Sequence, residues 1–126
     1  MKSGRFIVIG TLAVGLCLAS VRLHSSSDST QGTPANPRLI NISARRYAFT
    51  PNLVTIKKGE TVTIRLTSED RIHGFYSKPL KIDEVIEPGK ATEVTITPSE
   101  SGTFTTICDH FCGAGHGNMN MTIVVE

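Results

Sequence analysis

The sequence predicts an all-β protein: a Greek-key sandwich of about eight short antiparallel strands in the roughly 89 residues from Arg38 onward. Three observations carry this. Two segments alternate apolar and polar residues with a strand's period of two. Turn-forming residues punctuate the chain at short intervals. No stretch offers a long helical period.

The elements follow in order. Leu53 to Lys57 is rich in β-branched residues and ends at the turn Lys58-Gly59-Glu60. Thr61 to Thr67 alternates strictly, placing Val62, Ile64 and Leu66 on one face. Leu80 to Ile86 is a further strand, closed by Glu87-Pro88-Gly89-Lys90. Glu93 to Thr97 alternates again, with Val94 and Ile96 facing inward, and the turn Ser99-Glu100-Ser101-Gly102 follows. Phe104 to Cys108 and Met121 to Val125 complete the set. A sandwich of this kind gathers its working loops at one end. His73 and the loop after Cys108 are expected to meet there.

Ahead of the sandwich, residues 1–22 read as an export signal or a single membrane anchor. Lys2 and Arg5 precede an unbroken run of apolar and small residues from Phe6 to Val21. That run is long for a signal core and short for a full span of about 20 residues, so cleavage and retention both stand. Either outcome exports the rest of the chain. Residues 23–37 form a flexible linker, dominated by Ser, Gly, Pro and Asn, which leaves 38–126 as the folded domain. His24 beside this linker reads as solvated.

Charge excludes one class of partner. The chain of 126 residues carries a formal net charge of +2. Setting aside Lys2, Arg5 and Arg22 leaves ten basic residues of the thirteen against eleven acidic ones, a net of −1. A near-neutral domain has no basic face for phosphate, so no nucleic acid is expected.

Chemistry concentrates in one loop. Residues 108–119 read CDHFCGAGHGNM, presenting Cys-x3-Cys-x3-His-x2-Met. Thiolate, imidazole and thioether are the ligand types that copper favours. Cys108, Cys112, His116 and Met119 are therefore candidate metal ligands. Gly113, Gly115 and Gly117 would let the backbone fold tightly around an ion. A second imidazole must come from elsewhere, and His73, in Arg71-Ile72-His73-Gly74-Phe75, is the candidate. Two Cys and two His alone would also suit zinc. Met119 shifts the choice to copper. A blue, mononuclear type-1 site needs only one Cys, two His and a weak Met. Cys108 is then surplus, and a thiolate-bridged copper pair explains it. The competing reading of Cys108 and Cys112 is a short-loop disulfide in an oxidising compartment, within an interaction module. Cys17, inside the apolar run, reads as inert. Phe75 and Phe111 flank ligands and would shield the site from water. Asp70 and Asp109 either orient a ligand imidazole or are solvated turn acids. Met121 packs in the last strand, and Arg45-Arg46 and Lys57-Lys58 read as solvated faces.

The segments Ser68 to Phe75, Glu87 to Lys90 and Gly102 to Val125 resemble the CuA domain of cytochrome c oxidase subunit II, in the cupredoxin superfamily. The small, single-anchor oxidase branch is the most similar. The resemblance covers about residues 44–126 and implies a cupredoxin-like Greek-key β-sandwich. It implies that Cys108 and Cys112 bridge two copper ions, the dinuclear CuA centre. His73 and Met119 would complete one copper. His116 and the backbone carbonyl of His110 would complete the other. The family usually has Glu or Gln at the place of His110, and the carbonyl survives that change. The His110 side chain would sit near the site, where an imidazole could confer pH sensitivity. The implied function is single-electron transfer from a cytochrome c-type donor towards subunit I of a haem–copper oxidase. The implied place is the periplasm or the outer face of the cytoplasmic membrane, with membrane contact through residues 1–22 if uncleaved. Such a chain catalyses nothing by itself. Nitrous oxide reductase carries a similar motif, but its large catalytic domain has no room in this length. The sequence lacks Trp, which often marks the surface where the family's electrons arrive. Tyr47 and Phe49 are the aromatics upstream of the loop that could replace it. The alternative functions are copper delivery or storage by a stand-alone exported protein, and mononuclear electron carriage.

Overall fold

The computed structural model describes residues 31–126. The expectations for residues 1–22, for Cys17 and for His24 lie outside them. Among the described residues, no helix is long and apolar enough to cross a membrane.

Nine strands form two sheets among the described residues. They are β1 (Arg38–Arg45), β2 (Ala48–Thr50), β3 (Leu53–Ile56), β4 (Val62–Ser68), β5 (His73–Ser77), β6 (Ile82–Ile86), β7 (Thr92–Ile96), β8 (Gly102–Ile107) and β9 (Asn120–Val125). One sheet has the order β2-β1-β4-β7 and the other β3-β9-β8-β5-β6. The chain crosses between sheets, so β8 returns to lie beside β5 after β7 has joined the opposite layer. This is the all-β, two-layer cupredoxin-like sandwich. The pairing is not wholly antiparallel, however: β1 runs parallel to β4, and β3 parallel to β9. Both parallel partners are reached after the chain has visited the other sheet, which frees their direction from hairpin geometry.

Alternation fixes the core. Val62, Ile64 and Leu66 are fully buried, while Arg65 and Thr67 between and after them are exposed. The parallel register sets Ile40 beside Ile64 and Ile42 beside Leu66, extending one apolar face. Met121, Ile123 and Val125 of β9 cover it from the second sheet. Phe49 and Phe75 meet edge to face across the layers, with ring centroids 5.3 Å apart. Turn chemistry sets the ends. Gly59 and Gly89 take φ of 78° and 79°, where a side chain would be strained. Lys81 also has positive φ, and it shortens the strand expected at 80–86 to 82–86.

Ordered structure continues upstream of Arg38. The Gly32 amide donates to Glu60 Oε1 at 3.1 Å, and the Gly32 carbonyl accepts from Thr61 N at 3.0 Å. A Cβ on Gly32 would meet Thr61 O at 1.9 Å, so only glycine fits this approach. Glu60 is buried and also accepts from Arg38 Nε at 2.6 Å, Arg38 Nη2 at 3.1 Å and Lys57 N at 2.9 Å. The Arg38 guanidinium, helped by the two amides, holds this carboxyl at about 2 against the opposing effect of burial. The folded value lies below the ordinary 4.5, so the stabilisation is full above 4.5 and is lost as pH falls towards 2. Glu60→Gln is expected to lower stability by about 2 kcal/mol at pH 7 and to flatten the loss between those values. Urea denaturation across the acid range checks both.

Candidate metal centre

Three structural elements deliver the candidate ligands to one end of the sandwich. His73 opens β5, so a strand rather than a loop holds it, and it is fully buried. Cys108 follows β8 directly, where its amide donates to Met119 O at 3.0 Å and ties the two ends of the ligand loop together. His116 begins a short 3-10 turn, His116–Asn118, that brings Met119 back beneath the loop. Met119 N donates to His116 O at 3.1 Å.

The side chains converge. Cys108 Sγ and Cys112 Sγ are 3.7 Å apart and are not joined as a disulfide. His73 Nδ1 lies 3.9 Å from Cys108 Sγ. His116 Nδ1 lies 3.8 Å and Met119 Sδ 3.7 Å from Cys112 Sγ. The His110 carbonyl oxygen is 3.2 Å from Cys108 Sγ. The donor atoms of His73, Cys108 and Cys112 all lie within 4.8 Å of one another. Metal–sulfur bonds of about 2.3 Å exceed half the separation of the two sulfurs, so an ion can touch both. The donor set, two thiols with two imidazoles, a thioether and a carbonyl, is soft enough for copper. The residues present therefore fit the group.

Neighbouring groups prepare these donors. Asp70 Oδ1 lies 2.7 Å from His73 Nε2. A carboxylate there takes the Nε2 proton as its hydrogen bond and leaves the Nδ1 lone pair aimed at the sulfurs. Burial pushes the Asp70 carboxyl up, but hydrogen bonds from His73 and from the Arg46 and Arg71 amides reverse this and hold it well below the usual range. Of the two roles open to Asp70, the structure takes the orienting one. Asp109 meets no ligand imidazole: its Oδ1 sits 3.3 Å from Nδ1 of His110, whose ring is half exposed. Gly74 N donates to Cys108 Sγ at 3.4 Å.

Burial, and then the adjacent Cys108 thiol, push the Cys112 thiol up to about 11. It is therefore protonated at neutral pH, and a metal must displace that proton. Copper uptake is expected to release protons, and apparent affinity should rise with pH by up to about tenfold per unit for each thiol displaced. Titration in weakly buffered solution with a pH electrode measures the release.

Several sequence expectations are corrected here. Phe111 does not exclude water: it is 74% exposed and only tilts its ring against His116, with centroids 5.8 Å apart. Phe49 is buried in the core and is no surface aromatic, whereas Tyr47 is 39% exposed. Of the three loop glycines, Gly113 alone takes a positive φ, 134°. At Gly115 the constraint is space, because a Cβ would meet the Tyr47 ring at 2.5 Å, and at Gly117 a Cβ would meet nothing. Arg46 is not merely a solvated face: its Nε lies 3.3 Å from Asp70 Oδ2. Two residues that position the site were missed. Arg46 carries no local signal. Gly74 had one, a glycine directly after a candidate ligand.

The chain belongs to the cupredoxin-like domain family, whose model matches residues 10–125. That family defines a class of β-sandwich. Within it the chain groups with cytochrome c oxidase subunit 2: it is 33% identical over 94 residues to that protein of Thermus thermophilus, covering 75% of this chain and 70% of the relative. It is 32% identical over 91 residues to the nitrous-oxide reductase of Cupriavidus necator, spanning 69% of this chain but 14% of that protein. A chain from a heme-copper terminal oxidase dimer superposes with a TM-score of 0.66 at 25% identity, covering 76% of this chain and 69% of that one. The fold, these relatives and the His73–Cys108–Cys112 cluster together support copper binding.

Proposed function

We propose that the chain carries a dinuclear CuA centre and passes single electrons from a cytochrome c-type donor towards a haem–copper oxidase. The observation that carries this reading is the pair of free, buried thiols 3.7 Å apart, each with its own imidazole nitrogen within 4 Å. A mononuclear site has no use for that duplication. In this reading Cys108 and Cys112 would be shared by the two ions, His73 and Met119 would complete one, and His116 with the His110 carbonyl would complete the other. Bound there, the pair supplies a one-electron store. The chain's own residues keep it rigid: β5 and β8 anchor two ligands, Asp70 fixes the His73 ring, and Gly74 N donates to the Cys108 sulfur. Little rearrangement then accompanies a change of charge.

The place of action is the periplasm or the outer face of the cytoplasmic membrane, with residues 1–22 as signal or anchor. The exposed aromatics Tyr47 and Phe111 suit donor docking, because Phe111 leans on the ring of His116 and Tyr47 lies over Gly113 and Gly115. Copper delivery or storage needs an exposed, exchangeable site. The burial of His73, Cys108, Cys112 and Met119 argues against it.

Stopped-flow oxidation of a reduced c-type cytochrome by the copper-loaded protein tests this reading, alongside purification of the full-length chain from its membrane to ask whether haem follows it. Phe111→Ala should keep its copper and slow electron acceptance roughly tenfold, as for loss of an interface aromatic. Copper-loaded protein that accepts no electrons from any such donor would overturn the proposal.

A further inference from the structure

The turn between β1 and β2 touches both ligand-bearing segments. On one side, Asp70 Oδ2 accepts from Arg46 N at 2.9 Å and from Arg46 Nε at 3.3 Å, while Oδ1 of the same carboxylate faces His73 Nε2 at 2.7 Å. On the other, the Tyr47 ring fills the space above Gly113 and Gly115. Arg46, Asp70 and the His73 ring thus form one chain of hydrogen bonds. It starts at a half-exposed guanidinium and ends on a fully buried imidazole.

We propose that Arg46 is a positioning residue that sets, through Asp70, how strongly His73 donates to the metal. The proposal rests on the copper reading above. A carboxylate that accepts the Nε2 proton makes the imidazole more electron-rich at Nδ1. Arg46 shares that carboxylate's charge through Oδ2 and so tempers the pull on Nε2. Without its side chain, Oδ2 keeps only the Arg46 amide, and the carboxylate draws harder on the imidazole proton. Nδ1 becomes the stronger donor, which favours oxidised copper. The reduction potential falls. The guanidinium is 48% exposed, so its influence weakens with salt and is best read at low ionic strength. The other groups bonded to Asp70 are the Arg71 amide, at 2.8 Å from Oδ1, and Ser68 Oγ, which accepts from the Asp70 amide at 3.3 Å. Both bonds come from neutral atoms; the Arg71 guanidinium is a second cation on this segment, close enough to act electrostatically on Cys112.

A double-mutant cycle in the full-length protein tests this, using Arg46→Met, Asp70→Asn and the pair together. Two measurements are made. One is the midpoint reduction potential of copper-loaded protein. The other is the nuclear magnetic resonance position of the His73 Nε2 proton in copper-free protein. Arg46→Met should lower the potential and move the proton resonance downfield, whereas Asp70→Asn should raise the potential. In the Asp70→Asn background, Arg46→Met should shift the potential much less than it does alone. Equal shifts in both backgrounds would mean that Arg46 acts as a distant charge, and would overturn the proposal. A His73 resonance unmoved by Arg46→Met would overturn it whatever the copper content. Wild-type protein that fails to hold a copper pair sinks the copper reading instead, and the copper-free resonance still decides the role of Arg46.

Discussion

Cys108→Ser is expected to hold at most one copper per chain while the sandwich stays folded. Serine is close to cysteine in size, and the site is pinned by the Cys108 amide to the Met119 carbonyl, which the change leaves intact. What is lost is the thiolate that faces Cys112, His73 and the His110 carbonyl at once. A hydroxyl is a hard, weakly acidic donor and cannot bridge two soft ions. The remaining set, Cys112, His116, Met119 and His73, is that of a mononuclear blue site. Metal analysis should fall from two coppers to one or none, with far-ultraviolet circular dichroism unchanged. If Cys108→Ser still holds two coppers, the bridging role is wrong.

The second large effect is at Gly74. A Cβ there would meet Asp109 Oδ1 at 1.8 Å and the amide nitrogens of Asp109 and His110 at 2.8 Å. Two of those atoms are backbone, so the Cys108–His110 segment must move. That segment carries a thiol and the carbonyl nearest to it, and Gly74 N itself donates to Cys108 Sγ. Gly74→Ala is expected to cost about 3 kcal/mol, as for overpacking a filled interior, and to weaken or abolish copper binding. Gly117→Ala is the control, because its Cβ would enter open space. Thermal denaturation and copper titration of the two variants side by side measure the contrast. Equal behaviour would show that the close approach at Gly74 has no bearing on the site.

The legible part of this chain was what repeats locally. Val62, Ile64 and Leu66 announced their strand because alternation is a short-range signal, and Gly59 and Gly89 announced turns for the same reason. The ligand loop was legible because its donors lie within twelve residues, 108–119. What escaped depends on contacts distant in sequence. The parallel pairing of β1 with β4 follows from chain crossings between layers, which no window of residues contains. Asp70 beside His73 could have been an ordinary turn acid; its role was decided by how β5 turns the imidazole. Arg46 reads as a solvated cation until the fold sets it 24 residues away in sequence from the carboxylate it meets. Phe111, expected to shield the site, is exposed, and Phe49, expected at the surface, lies in the core. Hydrophobicity says that an aromatic ring gains from burial, but not which ring the fold has room to bury.

Every role proposed for this site turns on a copper pair shared by Cys108 and Cys112. Its most direct test is the electron paramagnetic resonance spectrum of the copper-loaded full-length protein, recorded with its metal content. Two coppers per chain sharing one unpaired electron, with hyperfine structure from both nuclei, are the expected result. One copper per chain with a single-nucleus spectrum, or no tight copper at all, would contradict it.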